Sequence, residues 1–95
     1  MHYRHSILHV DDDPQITRLV AERLGKLGYE VTSLNDPRDA MDELSRSNHR
    51  LVLLDIDMPH IDGLKLLRQI KARHGGTQVI MLTGLVTVQT LLQSF

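Results

Sequence analysis

The stretch Leu51-Val52-Leu53-Leu54-Asp55-Ile56-Asp57-Met58-Pro59 constrains the fold more than any other. Four aliphatic residues run without alternation into an aspartate, and a proline follows four residues later. A short continuous apolar run bounded by a turn signal reads as a strand buried on both faces. A strand covered on both faces requires helices above and below its sheet. Asp55 then stands where the strand leaves the sheet, and ligands of open parallel sheets bind outside the carboxyl ends of their strands. The other reading is a turn-forming aspartate that closes a strand, and this stretch alone does not decide between the two.

The rest of the chain supplies the partners such a strand needs. Ser6-Ile7-Leu8-His9-Val10 is a second apolar run, ending in Asp11-Asp12-Asp13-Pro14. Asp13 and Pro14 form a helix-start signal, with Asp capping free N–H groups and Pro favoured at the first helical position. Asp13 thus has a structural role, while Asp11 and Asp12 are left as acids that repel each other or as a solvated loop. Ile16, Leu19, Val20, Leu24 and Leu27 form one stripe at helical spacing, and Gly28 is a left-handed terminator. Glu30-Val31-Thr32-Ser33-Leu34 reads as a shorter, more polar edge strand. Asn35-Asp36-Pro37 repeats the cap-plus-proline signal before a helix to about Ser47, with Ala40, Met41 and Leu44 inward.

After Asp62-Gly63, a third helix carries Leu64, Leu67 and Ile70 inward with Leu66 flanking, and stops at Gly75-Gly76. Val79-Ile80-Met81-Leu82 is a fourth strand ending at Thr83-Gly84. Val88, Leu91, Leu92 and Phe95 predict a last helix. The order β-α-β-α-β-α-β-α argues for one α/β domain over residues 1–95, a doubly wound parallel sheet wrapped by helices.

Composition excludes several classes. A net charge of −1 gives no strong attraction to nucleic acid or to anionic membrane. The absence of cysteine excludes a disulfide framework, a thiolate metal site and a cysteine nucleophile. No stretch approaches the roughly 20 apolar residues of a spanning helix, so the expectation is a cytoplasmic domain. The six histidines read as follows: His2 and His5 as terminal residues rather than a metal pair, His9 as a satisfied core or partly uncovered residue, and His49, His60 and His74 as surface. Asp36, Asp39, Asp42 and Glu43 read as helix start and solvated face.

If strands one and three are neighbours, their ends lie about 4.8 Å apart, and Asp11, Asp12 and Asp55 share one crevice. Hard oxygen ligands at that density suit Mg2+, which keeps several waters and accepts phosphate oxygens. Asp is a nucleophile in phosphoryl transfer, giving an acyl phosphate. Thr83 has a hydroxyl to donate to a phosphoryl oxygen.

Together, Val10-Asp11-Asp12-Asp13-Pro14, Gly28-Tyr29-Glu30-Val31, Leu54-Asp55-Ile56-Asp57-Met58-Pro59, Asp62-Gly63 and Met81-Leu82-Thr83-Gly84 resemble the receiver domain of two-component response regulators. The resemblance covers almost the whole chain. It implies a flavodoxin-like sheet in strand order 2-1-3-4, with the family's fifth strand and fifth helix missing here. It implies phosphoryl transfer from a histidine kinase or histidine phosphotransfer protein to Asp55. It also implies Mg2+ held by Asp11, Asp12, the Asp55 side chain and the backbone carbonyl of Asp57, with Thr83 as the switch residue. A receiver is no turnover enzyme; it assists only its own phosphorylation and dephosphorylation.

The family's lysine at a strand end has no counterpart among Lys26, Lys65 and Lys71. An uncovered fourth strand is expected to drive homodimerisation or exchange of elements, and direct nucleic-acid and membrane contacts are not expected. Two alternatives stand beside this reading. One is a pseudo-receiver that never takes phosphate and serves as an interaction module. The other is a haloacid-dehalogenase-type phosphatase using Asp55 and Asp57, whose motif does not fit Pro59 and leaves Asp11 and Asp12 without a role.

Overall fold

The computed structural model describes residues 5–59, 61–82 and 93. Its elements are β1 (Ser6–Val10), α1 (Pro14–Lys26), β2 (Glu30–Leu34), a 3-10 turn (Pro37–Asp39), α2 (Ala40–Arg46), β3 (Leu51–Asp55), α3 (Gly63–Arg73) and β4 (Gln78–Leu82). Thr83, His60 and, apart from residue 93, the expected helix over residues 88–95 lie outside the described residues.

The four strands are parallel and lie in the order β2-β1-β3-β4. The chain steps outward from β1 to β2, then returns past β1 to β3 and continues to β4. Crossovers of one hand place helices made on the outward and return paths on opposite faces. Ile7, Leu53 and Leu82 accordingly pack with Val20 and Leu24 of α1. Leu8, Val10, Val52 and Leu54 pack on the other face with Ala40 and Leu44 of α2 and Leu66 and Ile70 of α3. Val52, Leu53 and Leu54 are all fully buried, so the unbroken apolar run of β3 has the two-sided cover that its sequence demands. β2 is the half-exposed edge strand.

α1, α3 and the 3-10 turn that leads into α2 each start where an aspartate precedes a proline or glycine. Asp13 accepts from the Gln15 N–H at 2.9 Å, Asp36 from the Arg38 N–H at 3.0 Å, and Asp62 from the Leu64 N–H at 3.0 Å. These carboxylates satisfy donors that a helix start leaves free. Gly28 has φ +94°, the left-handed turn after α1 that a side chain would strain.

Four expectations change. Leu27 follows the last turn of α1 and is 55% exposed instead of completing its apolar stripe. In α3 the inward residue is Leu66, while Leu64 is 56% exposed, because Gly63 is pressed against the Ile56 backbone and sets the rotation of the helix. His49 is no surface residue: it is 3% exposed and bonded through both ring nitrogens. Glu43 correspondingly belongs to that bonded cluster and not to a solvated face.

Candidate functional site: an acidic crevice at the switch point

Strands β1 and β3 are the pair from which the chain departs in opposite directions, and their carboxyl ends open a crevice between the loops that follow. Asp55 is the last residue of β3, paired in register with Leu82. Asp11 follows β1, and its N–H donates to the Leu34 carbonyl at 3.0 Å, extending the β1–β2 ladder by one step. Asp11, Asp12 and Asp55 each bring a carboxylate oxygen within 4.8 Å of the others. Asp11 and Asp55 are buried, at 2% and 7% exposure, and Asp12 is exposed.

The two buried aspartates sit in matching local turns. Asp11 Oδ1 accepts from the Asp13 N–H at 2.9 Å, and Asp55 Oδ1 accepts from the Asp57 N–H at 2.9 Å. Such Asx turns fix one oxygen of each carboxylate to its own loop. Asn35 adds a brace: its Nδ2 donates to the Asp11 carbonyl at 2.9 Å and to Thr17 Oγ1 at 3.1 Å. Thr17 in turn donates to the Pro14 carbonyl at 3.2 Å. The end of β2, the acidic loop and the first turn of α1 are thereby held as one unit. The local sequence places Asn35 only in a helix-start signal; its bracing role depends on a neighbour 24 residues away.

The electrostatics are those of an uncompensated anionic site. Burial first, then the Asp55 and Asp12 charges, push the Asp11 carboxyl up to about 6, against the lowering effect of the Asp13 N–H. Among the described residues no lysine or arginine nitrogen approaches any of the three carboxylates within 4.0 Å. A divalent cation relieves this repulsion, and three convergent hard oxygens are the donor set it favours. The residues present therefore fit such an ion.

Beneath Asp11 lies His9, which is fully buried on the α1 face of the sheet. Among the described residues neither ring nitrogen has a hydrogen-bond partner, so the histidine expected to be satisfied or partly uncovered is instead buried and unpartnered there. Burial pushes its pKa down to about 4, and Nε2 stands 3.8 Å from Asp11 Oδ2.

The family model for the response regulator receiver domain matches residues 7–95, nearly the whole chain and all of this site. The chain belongs to the response regulator receiver domain family. As a receiver it is 45% identical over 65 residues to the sensor histidine kinase RcsC of Escherichia coli K12, a match covering 68% of this chain and 7% of RcsC. It therefore spans only a small part of that curated relative. Among solved structures it resembles the response regulator TrrA of Thermotoga maritima in complex with Mg2+-BeF, with TM-score 0.78 and 35% identity over 94% of this chain and 77% of that one. It also resembles a chain in the complex of histidine kinase ThkA with TrrA, with TM-score 0.77 and 37% identity over 83% of this chain and 68% of that one.

Receivers are signalling modules, and these matches do not favour the phosphatase or pseudo-receiver readings. Among the described residues, no helix is long and apolar enough to cross a membrane.

Proposed function

We propose that this receiver takes a phosphoryl group onto Asp55 from the phosphohistidine of a histidine kinase or histidine phosphotransfer protein, in the cytoplasm. The observation that carries the reading is the convergence of Asp11, Asp12 and Asp55 within 4.8 Å at the mouth of the β1–β3 crevice. The ThkA–TrrA complex supports a kinase as the partner. Asp11, Asp12, Asp55 and the Asp57 carbonyl would hold Mg2+, which when bound supplies the positive charge that offsets the phosphoryl oxygens and the acids themselves.

In this reading Asp55 is the nucleophile. Its Oδ1 is anchored to the Asp57 N–H, which leaves Oδ2 as the oxygen directed to phosphorus. A new P–O bond forms as the P–N bond of the phosphohistidine breaks; the bonding pair stays on the departing nitrogen, and the proton on the other ring nitrogen leaves the imidazole neutral. The product is an acyl phosphate on Asp55. Asp11 and Asp12 orient the site without entering the bond changes. Thr83 is assigned to donate its hydroxyl to a phosphoryl oxygen.

Intact mass after incubation with Mg2+ and acetyl phosphate tests this reading, beside Asp55→Asn and a chelated control. The expected result is a gain of one phosphoryl group in the parent alone. No gain in a parent that still binds Mg2+ would replace the phosphoacceptor reading with that of a metal-binding interaction module.

A further inference from the structure

We propose that His9 is a positioning residue of the acidic site, its buried ring N–H serving as the donor that holds the Asp11 carboxylate when the crevice takes up a divalent cation. This rests on the reading of Asp11 as a metal-holding carboxylate.

His9 occupies a place where an aliphatic residue is the simple choice. It is the fourth of the five residues of β1, in register with Ser33 of β2 and Leu53 of β3. It shares its face of the strand with Ile7, whose neighbours in the core are Val20, Leu24, Leu53 and Leu82. A fully buried imidazole whose two nitrogens have no partner among the described residues carries a desolvation cost that those residues do not offset. Such orphans are rare and each calls for a physical reason.

The geometry supplies one. Asp11 Oδ1 is committed to the Asp13 N–H, whereas Oδ2 faces His9 Nε2 at 3.8 Å. That separation is outside hydrogen-bond range by less than about 1 Å, a gap that a small rotation of the Asp11 side chain closes. Carboxylates that ligate metals are themselves held by outer hydrogen bonds, which fix the orientation of the ligand oxygen. His9 is the buried donor placed to do this for Asp11, while Asn35 holds the same residue through its backbone carbonyl. The two braces act on different atoms of one residue.

The test compares the parent with His9→Leu, His9→Gln and Asp11→Asn, using Mg2+ alone as the probe. Calorimetric titration gives the Mg2+ affinity and a thermal melt gives the stability. His9→Leu removes the orphaned nitrogens at similar size. It should melt at or above the parent temperature yet bind Mg2+ about 10-fold more weakly, the low end of losses seen when outer partners of ligands are removed. His9→Gln, which keeps an N–H donor, should recover most of that affinity. A merely structural histidine gives the reverse, a lower melting temperature at unchanged affinity, and that result overturns the proposal. Should His9→Leu fail to fold, the Nε2 resonance of His9 in the parent decides: a shift on Mg2+ addition supports the proposal and a stationary resonance overturns it. A parent that binds Mg2+ no better than Asp11→Asn overturns the metal reading itself, an outcome separate from any result on His9.

Discussion

His49 Nδ1 lies 2.6 Å from Ser6 Oγ, joining residues 43 positions apart at the end of the sheet opposite the acidic crevice. On its other side, His49 Nε2 is 2.8 Å from Glu43 Oε2. With Nε2 protonated toward Glu43, Nδ1 accepts from the Ser6 hydroxyl. The Thr77 hydroxyl adds a bond to the His49 carbonyl at 3.3 Å. One buried ring thus ties α2 and the start of β1 together, and its backbone reaches the approach to β4.

Replacing His49 with Leu leaves Ser6 and Glu43 without that partner, and should cost about 2–3 kcal/mol in urea unfolding. A cycle with Ser6→Ala should give a coupling of about 1 kcal/mol; additive losses would show that the 2.6 Å contact carries no energy. The pH profile should change as well. The His49 hydrogen bond holds the Glu43 carboxyl below its usual 4.5. A carboxyl depressed in the fold contributes stability that is present above the unfolded pKa and lost as pH falls through the folded one. His49→Leu should flatten this acid limb of the stability curve while leaving Mg2+ binding at the far end of the sheet unchanged.

Asp11 has the opposite linkage. Its carboxyl is raised in the fold from 3.8 to about 6, so the folded chain holds this proton more tightly than the unfolded one. The stabilisation is complete below the unfolded pKa and is lost as pH rises through the folded value. Without metal, the fold at neutral pH carries the cost of a buried charge beside Asp55 and Asp12. Asp11→Asn should therefore raise the metal-free stability near neutral pH by roughly 1–2 kcal/mol, after allowance for solvent screening in an open crevice. The gain should vanish at acid pH, where Asp11 is neutral in both states. In the parent, Mg2+ should raise the melting temperature more at about pH 7.5 than at about pH 5, because protons and metal compete for the same oxygens. Scanning calorimetry at both pH values, with and without Mg2+, checks this. A metal effect that grows on acidification would count against Asp11 as a ligand.

What could be read from residues alone divides along the range of the interactions. β3 was legible because Leu51-Val52-Leu53-Leu54 is apolar at every position, which only a two-sided environment explains. The starts at Asp13 and Asp36 were legible because a cap and its N–H lie two residues apart, whereas Asp62, read as part of a turn, makes the same bond without a proline to announce it. The acids at the ends of β1 and β3 followed from strand order, which the alternating pattern restricts. His49 was not legible: its burial is made by Ser6, Glu43 and Thr77, none of them in its own strand or turn. The choice between Leu64 and Leu66 was also hidden. Helical periodicity permits neighbouring stripes, and the packing of Gly63 on Ile56 selects one of them. Asn35 and His9 share that limitation, since each acts on Asp11 across the fold or along the strand with no local motif.

That close approach at Gly63 bears on the site itself. A Cβ added at Gly63 would stand 3.1 Å from the Ile56 Cα, a backbone atom and not the yielding end of a side chain. Ile56 follows Asp55 directly, its N–H is bonded to the Leu82 carbonyl at 3.0 Å, and the next N–H, of Asp57, holds Asp55 Oδ1. Gly63→Ala gains about 1 kcal/mol of helix propensity, but forcing atoms into a filled contact costs about 1–3 kcal/mol. The net expectation is a loss of roughly 1 kcal/mol, with the displacement passed into the loop that presents Asp55. The Asp57 amide resonance should shift, and Mg2+ affinity should fall because the Asp55 carboxylate is no longer held in register with Asp11. A Gly63→Ala chain that melts above the parent, with the Asp57 amide unmoved, would show that α3 absorbs the methyl by tilting and that the loop is set by β3 alone.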